Sequence, residues 1–199
     1  MIFVKRYAPP PVRMDEILRY AAAKGSGEDV CALARECLAE AEKILSYHVC
    51  YGEFSVTRFE SGLDLSFCKT DSVALAKALS GCDRVILFAA TIGLEIDRLI
   101  ARYSRLSPAK ALMLQAVGTE RIEALCDVFC RDISVEYQEK IRPRVSPGYG
   151  DIPLSMQKDI FAVLDCSRRI GLSLNASLLM TPTKSVTALV GIGDFHEHP

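Results

Sequence analysis

The sequence lacks the features that mark secreted, membrane and nucleic-acid-binding proteins. No apolar run approaches the roughly 20 residues that cross a bilayer. The stretch after Met1 has no basic segment leading into a continuous apolar run, so we expect no signal peptide. Lysine and arginine number 24 against 25 acidic residues, and the net charge is −1, so composition indicates no nucleic-acid-binding surface. We therefore expect a cytoplasmic protein with neither a membrane nor a nucleic-acid partner.

The motifs of common enzymes are also missing. The stretch TPTKSVT ends like a phosphate-binding loop at Lys184 and Ser185, but the two required glycines are absent. The GIG sequence at residues 191–193 is too short for a dinucleotide fingerprint. No serine or cysteine stands in a nucleophile elbow, and three histidines are a poor supply for a catalytic triad. Ordinary hydrolase chemistry is not expected, and no catalytic residue is assigned.

The eight cysteines include no Cys-x-x-Cys pair. Cys126 and Cys130 are one helical turn apart and could serve a metal or a redox step. Zinc would need two more nearby ligands, and the histidines do not supply them. His196 and His198 lie in the last four residues, a position typical of a frayed tail. We predict reduced, half-buried thiols that pack as small hydrophobic side chains, and no metal site.

What the sequence does contain is a series of helical and strand patterns. Helices are predicted over residues 12–25, 29–48, 72–79, 94–106, 109 towards 139, and 154–170. Strands are predicted at EFSVTRF and LDLSF, as a hairpin, and at RVILFAAT, LNASLLM and SVTALVGI. No linker, repeat or low-complexity segment interrupts the 199 residues. We predict one α+β domain, 1–199, in which helices pack on a twisted antiparallel sheet.

The longest predicted helix begins at Ser107 and Pro108, an N-cap followed by proline at the first helical position. One stripe of this helix is predicted to face the core: Ala111, Leu114, Gly118, Ile122, Leu125, Phe129 and Ile133. A neighbouring stripe has small residues around one acid: Ala116, Thr119, Glu123, Cys126 and Cys130. That stripe could let a ligand approach closely, although a solvent-facing edge is the commoner explanation for such a glutamate.

The loop RVSPGYGDIP, residues 144–153, combines an arginine, two prolines, two glycines and a tyrosine. Arg144 can pair with a carboxylate in a bidentate manner. Gly148 allows close backbone approach, Pro147 stiffens the turn, and Tyr149 offers a ring and a hydroxyl. Proline and glycine are also the commonest residues of plain turns. From the loop alone, a ligand site and an ordinary turn both stay open.

Three stretches together resemble a known family. RVSPGY, with Pro153 and then a helix carrying IFAVL, is similar to the S-adenosylmethionine-binding loop in the activation domain of cobalamin-dependent methionine synthase. FAATIGLEIDRL followed by LMLQAVGTERIEALCDVF resembles the strand, turn and paired helices that precede that loop. MTPTKSVTALVGI resembles the family's closing hairpin. The resemblance covers residues 84–192, whereas residues 1–83 match only loosely.

The resemblance implies a role in reductive reactivation. In this family, cobalamin that has oxidised to inactive cob(II)alamin is reduced by one electron and remethylated by S-adenosylmethionine. The implied ligand contacts are Arg144 to the carboxylate, Tyr149 to the sugar or base, and Glu123 to the amino group or the sulfonium charge. The full set of implied S-adenosylmethionine-binding residues is Arg144, Val145, Ser146, Gly148, Tyr149 and Glu123.

The sequence also departs from the family. Leu189 and Val190 stand where the closing hairpin has aromatic residues, and no acidic ligand contact can be placed near the N-terminus. The Asp-x-His-x-x-Gly signature of a cobalamin-binding module is absent, since Ser46 stands two positions before His48. We therefore expect a free-standing protein that binds S-adenosylmethionine and supports remethylation of cobalamin on a separate methionine synthase chain.

The expected third component is a flavodoxin-type or other one-electron donor. Two alternatives remain open at this point. One is reactivation of another corrinoid methyltransferase. The other is a non-catalytic module that senses S-adenosylmethionine or docks on a corrinoid protein.

Overall fold

The computed structural model describes residues 1–138 and 140–193. The helices are α1 (Met14–Tyr20), α2 (Glu28–Ala41), α3 (Val73–Ala78), α4 (Glu95–Leu106), α5 (Pro108–Tyr137), α6 (Met156–Leu164) and α7 (Cys166–Ile170). The strands are β1 (Ile2–Tyr7), β2 (Tyr47–Ser55), β3 (Thr57–Phe59), β4 (Gly62–Asp64), β5 (Lys69–Thr70), β6 (Arg84–Thr91), β7 (Ser173–Leu174), β8 (Met180–Thr181) and β9 (Ser185–Ile192). Of the residues singled out above, His196 and His198, the predicted frayed tail, lie outside the described residues.

The main sheet has the strand order β1-β2-β6-β9, and every neighbouring pair is antiparallel. The predicted strand RVILFAAT is confirmed as β6, which pairs with β2 on one side and β9 on the other. Alternate residues of β6 belong to the two hydrophobic clusters on opposite faces of the sheet, with Phe88 on one and Leu87 on the other. Both faces are covered, and this explains why β6 is apolar from Val85 to Ala90.

Helices α1, α2, α4 and α5 pack on one face of the sheet. On the other face lie α3, α6, α7 and a small sheet of order β3-β4-β5. The predicted α+β class with an antiparallel sheet is confirmed. In the part of the chain that the structure describes, no helix combines the length and the apolar character needed to cross a membrane.

The long helix α5 agrees with its prediction. The Ser107 hydroxyl accepts a hydrogen bond from the Lys110 amide at 3.5 Å, and Pro108 opens the helix. All seven residues of the predicted core stripe are buried. The eight cysteines are free, five of them buried and three of intermediate exposure. Among the described residues, no group of three or more His, Cys, Asp and Glu side chains could hold a metal ion.

The prediction for residues 29–59 is partly wrong. The helix ends at Ala41, and residues predicted to continue it begin β2. Residues 53–55 also belong to β2, so the predicted hairpin shrinks to β3 and β4. Pairing of β2 with both β1 and β6 overrides the local helical pattern there. Strand β1 has no counterpart among the predictions.

The C-terminal predictions also need correction. The helix predicted over 154–170 is two helices, because Asp165 adopts a left-handed conformation with φ of 50°. Gly171 does end the second helix, at φ of 67°. The predicted strand LNASLLM is mostly a turn between β7 and β8. The Asn175 side chain holds that turn by accepting hydrogen bonds from the amides of Ser177 and Leu179, each at 2.9 Å.

Candidate functional site

The segment Ile141–Val145 runs along the outer edge of β9. Ile141 bridges to Ile192, and Val145 exchanges two backbone hydrogen bonds with Leu189, at 3.0 and 2.8 Å. Neighbouring residues of an extended segment point to opposite faces. Val145 accordingly packs with the α6 side of the core, whereas Arg144 reaches the opposite side, where α5 lies. Pairing with the edge strand β9 therefore determines that the Arg144 side chain points towards α5.

A row of polar residues follows one face of α5 at intervals of four: Thr119, Glu123, Asp127 and Arg131. We call these residues the polar row. Three cations from other parts of the chain lie against it. Arg144 donates to Glu123 and, at 2.6 Å, to Asp127. The Lys184 amine donates to the Thr119 hydroxyl at 3.0 Å, and Arg13 forms an ion pair with Asp127 at 3.4 Å.

Arg144 is thus held by two carboxylates of its own chain. Burial lowers the pKa of Arg144, but the hydrogen bond that Arg144 donates to Asp127 and the nearby negative charges outweigh this effect, so that the pKa is raised overall. Cys126 and Cys130 lie beside the guanidinium, and burial raises the pKa of both thiols. Arg144 itself therefore lies against the stripe of α5 that was predicted to let a ligand approach closely.

Lys184 lies against the other end of the same stripe of α5. Its aliphatic stem lies so close to Gly118 that a Cβ atom there would meet three of its carbons at 3.0–3.2 Å. Burial lowers the pKa of this lysine, while the charge of Asp97 acts in the opposite direction. The absence of a side chain at Gly118 therefore lets a cation reach Thr119 across α5.

The tip of the predicted loop, residues 146–150, turns sharply between two fastened ends. Gly148 has φ of +89°, and its amide donates to the Ile152 carbonyl at 2.9 Å. Pro147 is buried beneath the turn, whereas the Tyr149 side chain is 66 % exposed. Tyr149 touches neither Arg144 nor Glu123 through any hydrogen bond among the described residues. The structure thus brings Arg144 and Glu123 into contact and leaves the tyrosine ring facing solvent.

Asp151 fastens the C-terminal end of this loop. Its carboxylate accepts hydrogen bonds from the Ser72 hydroxyl at 2.5 Å and from the amides of Val73 and Ala74 at 2.8 and 3.0 Å. These are the first groups of α3, so the aspartate caps a helix that is distant in sequence. The bond from Ser72 and the two amides lower the pKa of the Asp151 carboxyl.

A cleft of about 520 Å³ opens between α5 and the N-terminal residues that precede α1. Ligand pockets commonly have volumes of about 300–1,000 Å³. Its walls are Pro11, Arg13, Ala124, Asp127, Val128, Cys130 and Arg131. Asp127 and Arg131 of the polar row line the cleft, and through Asp127 the cleft adjoins the Arg144–Glu123 pair.

Sequence reasoning missed Asp127 and Arg13. Asp127 stands four residues after Glu123, and this spacing on a helix was a usable signal. Arg13 carried no such signal, because only the fold brings it to α5. Leu189 and Val190, at the positions of family aromatic residues, are fully buried in β9 and contribute to the core.

The sequence profile described as "Vitamin B12 dependent methionine synthase, activation domain" matches residues 12–195. The chain belongs to this activation-domain family. The match takes in most of the N-terminal region, including Arg13 of the cleft. No protein in the curated set matches the sequence.

The activation-domain fold is also found among solved structures. The crystal structure of the MetH reactivation domain bound to AdoHcy superposes with a TM-score of 0.67. The alignment has 17 % identity and covers 100 % of this chain and 80 % of that chain. At this identity the likeness concerns the fold.

Proposed function

We propose that this activation-domain protein binds S-adenosylmethionine beside the polar row and supports reductive reactivation of cobalamin carried by a separate methionine synthase chain. Membership of the family supports the proposal. The observation that carries it is the direct contact between Arg144 and Glu123, two residues of the implied ligand site that are far apart in sequence. They meet beside a cleft of ligand size.

The residues present suit the charges of this ligand. S-adenosylmethionine carries a carboxylate, an ammonium group and a sulfonium, and the site offers both acids and guanidinium groups. Glu123 and Asp127 provide negative charge at the base of the site. The exposed Tyr149 ring offers a surface for the adenine or the ribose. The amides of Gly148 and Tyr149 close the loop tip by donating to the carbonyls of Ile152 and Ser146, and Val145 fixes that tip to the sheet.

The chain's part in the reaction is positioning. When bound, S-adenosylmethionine supplies a methyl group to the partner's cobalamin, after a flavodoxin-type or other one-electron donor has delivered an electron. The site holds the donor in line with a cofactor on another chain, so a fixed geometry replaces the rare in-line encounter of free methyl donor and free cofactor. No acid or base is assigned, and the chain alone is not proposed to form methionine. We place the reaction in the cytoplasm.

A reactivation assay tests this proposal. A cobalamin-loaded methionine synthase trapped as cob(II)alamin is mixed with a one-electron reductant, S-adenosylmethionine and this protein, and recovery of methionine formation is measured. We expect recovery with the parent protein and reduced recovery with Glu123→Gln at limiting S-adenosylmethionine. Glu60→Gln is the matched control, because Glu60 is exposed on the β3–β4 turn and makes no hydrogen bond or ion pair with other described residues.

The possible results separate the interpretations. Recovery that proceeds equally well without this protein, at every concentration of the methyl donor, would refute the proposal. Calorimetric binding of S-adenosylmethionine together with no recovery would leave a sensing or docking module. Recovery of a different corrinoid methyltransferase, but not of methionine synthase, would reassign the partner.

A further inference from the structure

Two buried cysteines from distant parts of the chain place their sulfur atoms against each other. Cys50 lies in β2, and Cys166 is the first residue of α7. Both side chains are completely buried, and their Sγ atoms are 4.0 Å apart. Among the described residues, no other two thiols are hydrogen-bonded to each other. The fold therefore brings one pair together out of eight free cysteines.

The two thiols of this pair are chemically unequal. Cys166 can donate its S–H to an ionised Cys50, and this hydrogen bond lowers the pKa of Cys50 although burial acts in the opposite direction. The charge of Arg169, three residues after Cys166, also lowers the pKa of Cys50. The hydrogen bond with Cys50 and burial both raise the pKa of Cys166. Because the thiolate is the reactive form of cysteine, Cys50 is the nucleophile of the pair.

Only a small movement separates the two sulfurs from bonding distance. A disulfide joins its sulfurs at about 2.05 Å, so they must approach each other by about 2 Å. Rotation about χ1 moves a cysteine sulfur through distances of this size. Helix α7 has only five residues and lies between two left-handed residues, Asp165 and Gly171. So short a helix has little stability of its own, and its local opening admits a small molecule to the buried pair.

We propose that Cys50 and Cys166 form a redox-active dithiol that closes to a disulfide when a hydroperoxide reaches it. The Cys50 thiolate attacks one oxygen of hydrogen peroxide, so that a sulfur–oxygen bond forms, the oxygen–oxygen bond breaks and one water leaves. The Cys166 sulfur then attacks the Cys50 sulfur, the disulfide bond forms, and the oxygen leaves as a second water. In total the two thiols lose two hydrogen atoms with their electrons, and the peroxide is reduced to two molecules of water.

The product links the main sheet covalently to the layer on its far side. Strand β2 is an inner strand of the sheet, and α7 follows α6 directly. The link closes a long loop of chain, and a cross-link of this kind stabilises a fold chiefly by restricting the unfolded state. This inference is independent of the proposed function, because it requires neither S-adenosylmethionine nor a partner chain.

Peroxide treatment of the reduced parent protein tests the assignment. The reductant is removed, hydrogen peroxide is added, and the remaining thiols are counted by alkylation in denaturant. We expect the count to fall by two from the original eight and to recover with dithiothreitol. Trypsin should release residues 44–58 and 159–168 joined to each other, since each of these peptides contains a single cysteine. The melting temperature should rise by about 5–15 °C, the shift that a typical disulfide gives in a domain of this size.

Single variants show whether the pair itself is responsible. Cys50→Ala and Cys166→Ala should each keep all their remaining thiols under the same treatment. Cys37→Ala is the matched control, because Cys37 is also buried but its thiol donates to the Lys110 carbonyl, at 4.0 Å. This control should still lose two thiols. Thermal melting shows whether each variant is folded, and the joined peptides of the parent protein decide the question without any variant.

Three results would overturn the dithiol. One is a parent protein that keeps all eight thiols in excess peroxide. Another is a set of joined peptides in which Cys37 or Cys126 occurs as often as Cys50 and Cys166. The third is a link between Cys50 and Cys166 that forms in urea but not in the folded protein, because the sulfurs would then meet only after unfolding.

Discussion

Replacing Arg121 should remove much of the stability of the fold. Its side chain is fully buried on α5 and donates to both oxygens of buried Glu120, at 2.6 and 2.8 Å. It also donates to the carbonyls of Pro10 and Pro11, at 2.7 and 2.9 Å, and to Glu42 at 3.1 Å. Arg121 thereby fixes the N-terminal segment that forms one wall of the cleft.

The magnitude follows from what the substitution leaves behind. Arg121→Met keeps much of the apolar stem but leaves the Glu120 carboxylate buried without its cation. Breaking a buried ion pair in this way costs about 3–5 kcal/mol, a large share of the roughly 5–15 kcal/mol that stabilises a typical domain. With a urea m-value of about 2–3 kcal/mol/M, the midpoint should fall by about 1–2.5 M.

Urea unfolding followed by circular dichroism measures this midpoint. Arg19→Ala is the control, because Arg19 pairs with Glu16 on the surface of α1, and we expect no shift there. The double variant Glu120→Leu with Arg121→Met should be more stable than Arg121→Met alone, since the buried Glu120 carboxylate is removed together with its cation. A midpoint for Arg121→Met within about 0.3 M of the parent's, equivalent to less than about 1 kcal/mol, would show that the buried network contributes little.

Two further predictions concern the loop. Arg144→Ala should weaken S-adenosylmethionine binding by about 1.5–3 kcal/mol in calorimetry, the scale of a lost charged hydrogen bond. An affinity equal to that of the parent protein, in a variant that remains folded, would remove Arg144 from the site. Asp151→Asn should lower the melting temperature more at pH 7 than at pH 3, because the pKa of Asp151 is lower in the folded state. The stabilising contribution of Asp151 is present above the unfolded pKa of about 3.9 and is lost as pH falls through the folded pKa. An equal change in melting temperature at both pH values would contradict the role of the ionised carboxylate.

Elements with a strong local signal could be predicted from the sequence. RVILFAAT is β6 to the residue, and the Ser107–Pro108 start with its apolar stripe is α5. Strand β2 could not be predicted in this way, because its first residues continue a helical pattern and only pairing with β1 and β6 makes them a strand. The same limit applies to edge strand β1, whose side chains are half-exposed and alternate irregularly.

The candidate site also contains residues that could be predicted from the sequence and residues that could not. The resemblance pointed to Arg144 and Glu123, which are in contact, and this contact spans 21 residues of sequence. Neither spacing nor resemblance pointed to Arg13, which reaches Asp127 only because the segment before α1 crosses α5. Nor did they indicate that Asp151 caps α3, since the two meet across the far face of the sheet. Long-range contacts of this kind depend on packing.

The two attachment points of the loop, Val145 and Asp151, determine how much conformational entropy is lost when a ligand binds. Val145 is bonded to β9 on one side of the tip, and Asp151 is bonded to α3 on the other, so only residues 146–150 lie between them. Ordering one free backbone residue costs about 1–2 kcal/mol of conformational entropy. With so short a span already held at both ends, little of that cost falls on the binding step. The loop is pre-organised, and more of each contact with a ligand can therefore appear as affinity.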